Sequence, residues 1–169
     1  MTEVERLGRE EVWERDLFML ELKDISELPD NLRFPSRYFA CLLAWDATGA
    51  SADEIRSVGQ KLIEQGAAYF VLWGADCERV HDLIDEVEAV REQANPDDQS
   101  VIMTSWHHNE PLSEAIWFVL HCALPDDPYI EDCKITIAIS VGFSEWAAQI
   151  RAALTDPKKF SDEYLATDH

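Results

Sequence analysis

Three short apolar runs in this 169-residue chain end alike, in a tryptophan followed at once by polar or turn-forming residues: Arg37–Asp46, Ala68–Gly74 and Val101–His108. A fourth run, Lys134–Gly142, ends in Gly142 with Ser144 just beyond. Segments of helical periodicity separate the runs, so the chain repeats at roughly the 30-residue length of a βα unit. Strands joined through helices pair in parallel, and a parallel sheet is covered on both faces. The expectation is therefore a three-layer α/β sandwich with a mainly parallel sheet of four strands, or five if the N-terminal region adds one. Ligands of such sheets bind outside the carboxyl ends of the strands. That rule places Asp46, Asp76, Cys77, His107, His108 and Ser144 along one edge.

The connecting segments carry explicit helix signals. Ser51-Ala52-Asp53-Glu54 reads as a capping box and starts a helix at Ala52, with Ile55, Val58, Leu62 and Ile63 as its apolar stripe and Gly66 as its stop. Asp76 is the expected N-cap of a second helix carrying Val80, Leu83, Ile84, Val87 and Val90. Its outer face is expected to hold Glu78, Asp82, Asp85, Glu86, Glu88 and Glu92. A third helix begins around Asn109-Glu110-Pro111 and is apolar on most sides, which predicts burial on two of them. Ser144 is the expected cap of a further helix with Trp146, Ile150 and Leu154. One domain spans 1–169, with residues 1–36 as an extension packed on the core and 157–169 as a tail that starts with a short helix. Leu17-Phe18-Met19-Leu20 in the extension fits either a helix or an edge strand, and helix is the preferred reading.

As a class this layout resembles the flavodoxin-like and Rossmann-like folds, which host unrelated functions, so the chemistry has to be argued from particular residues. Asp46-Ala47-Thr48-Gly49-Ala50-Ser51 has one glycine where a dinucleotide fold needs three, and no phosphate-binding GKS or GKT loop or G-x-S-x-G elbow occurs. With 14 Lys and Arg against 34 Asp and Glu the formal charge is −20, and no Lys or Arg lies between Glu92 and Cys133. Such a surface repels phosphates, which excludes nucleic acid as a partner and favours a basic protein. The apolar runs are too short to span a bilayer and no signal peptide is visible, so no membrane partner is expected. Cys41, Cys77, Cys122 and Cys133 lack disulfide or CxxC spacing, which suits reduced thiols in a cytoplasm.

One constellation could carry chemistry. Cys77 in the first turn of its helix would gain thiolate character from the helix dipole, and His81 lies one turn on. With His107 they form a candidate catalytic set; with His107 and Asp46 they form a candidate zinc site. Asp46, Trp45, Trp73, Asp76, Trp106, His108 and Ser144 are the candidate ligand-binding residues, the three tryptophans as a stacking platform or a protein-binding hot spot. Each also has a plainer role: cysteine packs as a small hydrophobe, and tryptophans rim cores. The favoured function is a small acidic cytoplasmic binding or regulatory module, in one version an immunity or inhibitor protein that contacts a basic protein. The alternatives are a thiol- or metal-dependent hydrolase or transferase at the strand ends, and a sensor of a nucleotide-like small molecule. No cofactor is required, and zinc is the one metal the residues suggest. Oligomeric state is not legible.

Overall fold

The strands Tyr38–Ala44, Ala67–Trp73 and Cys133–Val141 are mostly apolar because the sheet buries both of their faces. The computed structural model describes residues 3–167, so the ends of the expected 1–169 domain lie outside the described residues. In chain order the elements are β1 (Glu5–Glu10), β2 (Arg15–Leu22), a 3-10 turn at Ile25–Glu27, β3 (Tyr38–Ala44), α1 (Ala52–Gln65), β4 (Ala67–Trp73), α2 (Cys77–Ala94), β5 (Met103–His107), α3 (Leu112–His121), α4 (Asp127–Ile130), β6 (Cys133–Val141), α5 (Ser144–Thr155) and α6 (Pro157–Ala166). The sheet order is β1-β2-β6-β3-β4-β5, with β1 antiparallel to β2 and every other pair parallel. This is a three-layer α/β sandwich with six strands. The parallel strands, numbered along the chain, lie in the order 1-5-2-3-4, whereas a flavodoxin sheet runs 2-1-3-4-5.

Side-chain alternation divides the core between the two faces. Phe39, Cys41, Leu43, Phe70, Leu72, Ile135 and Ile137 pack under Ile55 and Leu62 of α1 and Val80 and Ile84 of α2. Ala40, Leu42, Val71 and Ala138 meet Ile116 and Val119 of α3 and Ile150 and Leu154 of α5. Helix α6 lies outside α3, where Trp117 stacks on Tyr164 at 5.4 Å, so α3 is covered on two sides as its composition requires.

Local signals govern α1. Ser51 and Glu54 form the reciprocal capping box, and Gly66 closes the helix at φ 116°, where any Cβ would strike the Arg37 carbonyl. The N-terminal region corrects the helical expectation. Leu17–Leu20 belong to β2, which pairs with β6 from Asp16↔Ile135 to Leu22↔Val141. The hairpin turn before it has no glycine or asparagine to announce it. Glu14 takes the left-handed position at φ 57°, and the Glu10 carboxylate accepts the amides of Val12, Trp13 and Arg15. Asp76 is the N-cap residue of α2 as expected, but it stands in the left-handed region and its side chain makes no cap bond; Ser144, the other expected cap, is instead the first residue of α5, after Phe143. Among the described residues no helix is long and apolar enough to cross a membrane.

Candidate functional site

The strand ends line up as β5, β4, β3 and β6, so His107 and His108, Asp76 and Cys77, Asp46, and Ser144 do share the carboxyl edge of the sheet. They are spread along it. Three inter-strand spacings of about 4.8 Å separate the β5 end from the β6 end.

Cys77 does not meet the nucleophile's requirement. It is 1% exposed in the α1–α2 core, and burial raises its thiol above the ordinary value, only partly offset by the His107 backbone amide that donates to it. Desolvation outweighs the helix dipole here. His81 is engaged elsewhere: Nδ1 is 3.1 Å from Asp82 and Nε2 3.2 Å from Asp85, while its ring lies 4.3 Å from that of Trp106. His107 is on the opposite face of the sheet. Strand β5 sends Thr104 and Trp106 toward α2, where Thr104 donates to Asp85 at 2.8 Å, and sends Ser105 and His107 toward α3. His107 Nδ1 lies 2.7 Å from Glu110 Oε2, Nε2 lies 3.1 Å from Ser105 Oγ, and Phe118 packs on the ring.

The Cys77, His81 and His107 set is therefore split by the sheet, and the expected zinc donors do not converge. Asp46 turns away to accept from Thr48 N at 3.0 Å and Thr48 Oγ1 at 2.6 Å, bonds that hold its carboxyl below the usual range. Among the described residues no group of three or more His, Cys, Asp and Glu could hold a metal ion. The tryptophans are divided for the same reason. Trp45 is buried on the α1–α2 face. Trp73 points to the other face, donates to the Glu110 carbonyl at 2.7 Å and meets Trp146 edge-on. Trp106 is 44% exposed beside α2, so no three-indole platform forms. His108 is exposed in the turn after β5. Ser144 and Gly142 instead border an open cavity of about 780 Å³ with Glu3, Glu21, Lys23 and Glu27.

Residues 17–157 match the family model described as Domain of unknown function (DUF7684). The chain belongs to that family. No curated protein matches it. The DUF7684 match starts inside β2 and ends at the first residue of α6, so it takes in β3 to β6 and most of β2 and leaves out β1.

Within the DUF7684 region the most connected polar group is one the sequence misplaces. Glu88 was expected on the outer face of α2 and is 5% exposed. Its oxygens take Arg91 Nη2 at 2.6 Å and Arg91 Nε at 2.7 Å, and Oε1 also accepts Ile102 N at 3.2 Å. Arg91 reaches the Ser100 carbonyl, and the Ser100 hydroxyl meets Tyr129 at 2.7 Å. The carboxylate bonds push the Arg91 guanidinium further above its ordinary range. Spacing did offer a clue, since Glu88 lies four residues from Ile84 on the buried stripe. The remaining acids of that face, Glu78, Asp82, Asp85, Glu86 and Glu92, are exposed as expected.

Proposed function

We propose that this chain is an acidic binding module that captures a basic segment of another protein, an inhibitor or immunity protein being one form of that role. The observation that carries the reading is how the cations are used. Arg56, Arg91, Arg151 and Lys158 sit on the chain's own carboxylates at 3.4 Å or less, as do Arg6 and Arg9, and Arg15 is buried. With 34 Asp and Glu against 14 Lys and Arg, and most of those cations already on carboxylates or buried, an excess of carboxylates is left uncompensated, above all from Glu92 to Cys133, where the chain has no Lys or Arg. A field of that sign attracts cationic partners and raises their encounter rate. The four free cysteines suit a reducing compartment such as the cytoplasm.

The test is the association rate of a lysine- and arginine-rich peptide, followed by stopped-flow fluorescence of the native tryptophans. The rate should fall by on the order of tenfold or more between 20 mM and 300 mM salt. The double reversal Asp82→Lys and Glu92→Lys should lower the low-salt rate without moving the melting temperature. A rate independent of salt, or unmoved by the reversal, refutes the proposal.

A further inference from the structure

The two edges of the sheet are built differently. At one edge β1 is charged along its length, with Glu5, Arg6, Arg9 and Glu10, and its ladder with β2 is broken by a bulge between Arg6 and Gly8. Charge and bulges are how proteins keep an edge from recruiting a further strand. At the other edge β5 has neither. Its sequence is Met-Thr-Ser-Trp-His, its register with β4 runs unbroken from Tyr69↔Met103 to Trp73↔His107, and among the described residues no strand pairs beyond it. Apolar side chains stand out on it and just before it: Met103 is 41% and Trp106 44% exposed on the strand, and Val101, two residues ahead of it, is 41% exposed.

The same strand holds carboxylates at both ends and on both faces. Asp126 accepts from Val101 N at 2.9 Å, just before the strand. Asp85 accepts from Thr104 Oγ1 on the α2 face, and Glu110 meets His107 on the α3 face. A carboxylate offers about four acceptor positions, so Asp85 and Asp126, with two partners each, and Glu110, bonded to His107, keep lone pairs for another donor. Asp82 and Asp85 also flank His81, on which Trp106 lies, so a cation placed over the exposed indole has two carboxylates close by.

We infer that β5 is the docking edge of the module, and that the basic segment binds by adding as an extended strand alongside Met103–His107. The inference rests on the reading of the chain as an acidic binding module and supplies its geometry. Backbone bonds to β5 give the segment its hold. Alternate side chains meet Trp106 with Asp82 and Asp85 on one face, and Met103 with Glu110 on the other. Five residues of edge, at about 3.3 Å each, fit a segment of five to seven residues. A second copy of this chain is the wrong occupant, because each copy brings a formal charge of −20 and no Lys or Arg in this region to meet the carboxylates.

The experiment uses a capped eight-residue peptide alternating arginine and valine, together with two versions N-methylated on one or the other set of alternate amides. All three carry the same charge. The unmodified peptide should shift and protect the Met103–His107 amides in nitrogen-15 spectra. Methylating the amide set that faces β5 should weaken binding on the order of tenfold or more, while methylating the outward set leaves it within a factor of about two. Met103→Lys, at an exposed site, should weaken the unmodified peptide similarly with the melting temperature unchanged. Equal binding of all three peptides that weakens with salt overturns strand addition and leaves the acidic-module reading standing. Failure of every peptide to bind at any salt overturns both. Loss confined to one methylated set, with no dependence on salt, supports the docking edge and removes the electrostatic reading of the module.

Discussion

Replacing Glu88 with alanine removes a carboxylate that three protein donors share inside the fold. Ile102 is 6% exposed, so its amide becomes a buried donor without a partner, which costs about 1–3 kcal/mol. Breaking a fully buried ion pair costs about 3–5 kcal/mol, but the Arg91 side chain is 22% exposed and keeps the Ser100 carbonyl and Asp98, so its share lies well below that range. The two losses together come to about 3 kcal/mol. At roughly 2–4 °C per kcal/mol for a domain of this size, the melting temperature should drop by about 6–12 °C. Glu88→Gln preserves volume and can keep an acceptor for Ile102, but it forfeits the charge and sets its NH2 against the Arg91 Nε donor, so it should recover only part of the loss. Asp82→Lys, on the same helix with a 69% exposed side chain, should stay within about 0.5 kcal/mol of the parent. Thermal unfolding and urea titration at pH 7 measure all three. If Glu88→Ala melts within about 2 °C of the parent, the carboxylate is not the hub that joins α2 to the approach into β5.

Thiol chemistry and acid stability give two further checks. Cys122 is exposed at the end of α3 whereas Cys41, Cys77 and Cys133 are buried, with burial pushing each of those thiols up, so Ellman's reagent should find one fast thiol in the native protein. Modification of Cys77 as fast as Cys122 would refute the burial argument. Arg151 hydrogen-bonds Glu5 and lowers its carboxyl below the ordinary value of 4.5; a depressed carboxyl stabilises the fold above its unfolded pKa and loses that contribution as pH falls through the folded value. Glu5→Gln should therefore lower stability at pH 7, flatten the acid limb of the stability curve below about pH 4.5, and converge with the parent at the lowest pH; an unchanged curve would mean the pair contributes nothing.

The four parallel strand runs from β3 to β6 and all the long helices were readable, because parallel strands are continuous apolar runs and their helices carry stripes, a capping box and Gly66. The hairpin was not, since its turn relies on Glu14 in a left-handed conformation and on Glu10 as an amide acceptor, neither of which has a turn signature. The carboxyl edge was located correctly, yet its side chains were assigned as if they shared a face. Sequence gives the ends of strands; the alternation that sends Trp45 to one face and Trp73 to the other depends on where each strand's register begins. Thiolate character at Cys77 failed for a related reason, because a helix N-terminus can lie in the core and the dipole argument holds only where water can reach it.

Strand β6 lies between β2 and β3, so the first strands made in synthesis wait for the last. Asp16 faces Ile135 and Phe39 faces Ile135 from the other side, which means that a growing chain stopped before Cys133 presents two open apolar edges at once. The β3-α1-β4-α2-β5 segment is contiguous and can assemble as it leaves the ribosome, while the β1–β2 hairpin stays undocked until β6, at Cys133–Val141, arrives. Closure is thus a late, long-range event that ties the fate of the N-terminal hairpin to the integrity of the segment from Cys133 onward. A ribosome that stalls within α3 or α4 would release a species whose exposed β3 edge is a substrate for chaperones and for aggregation.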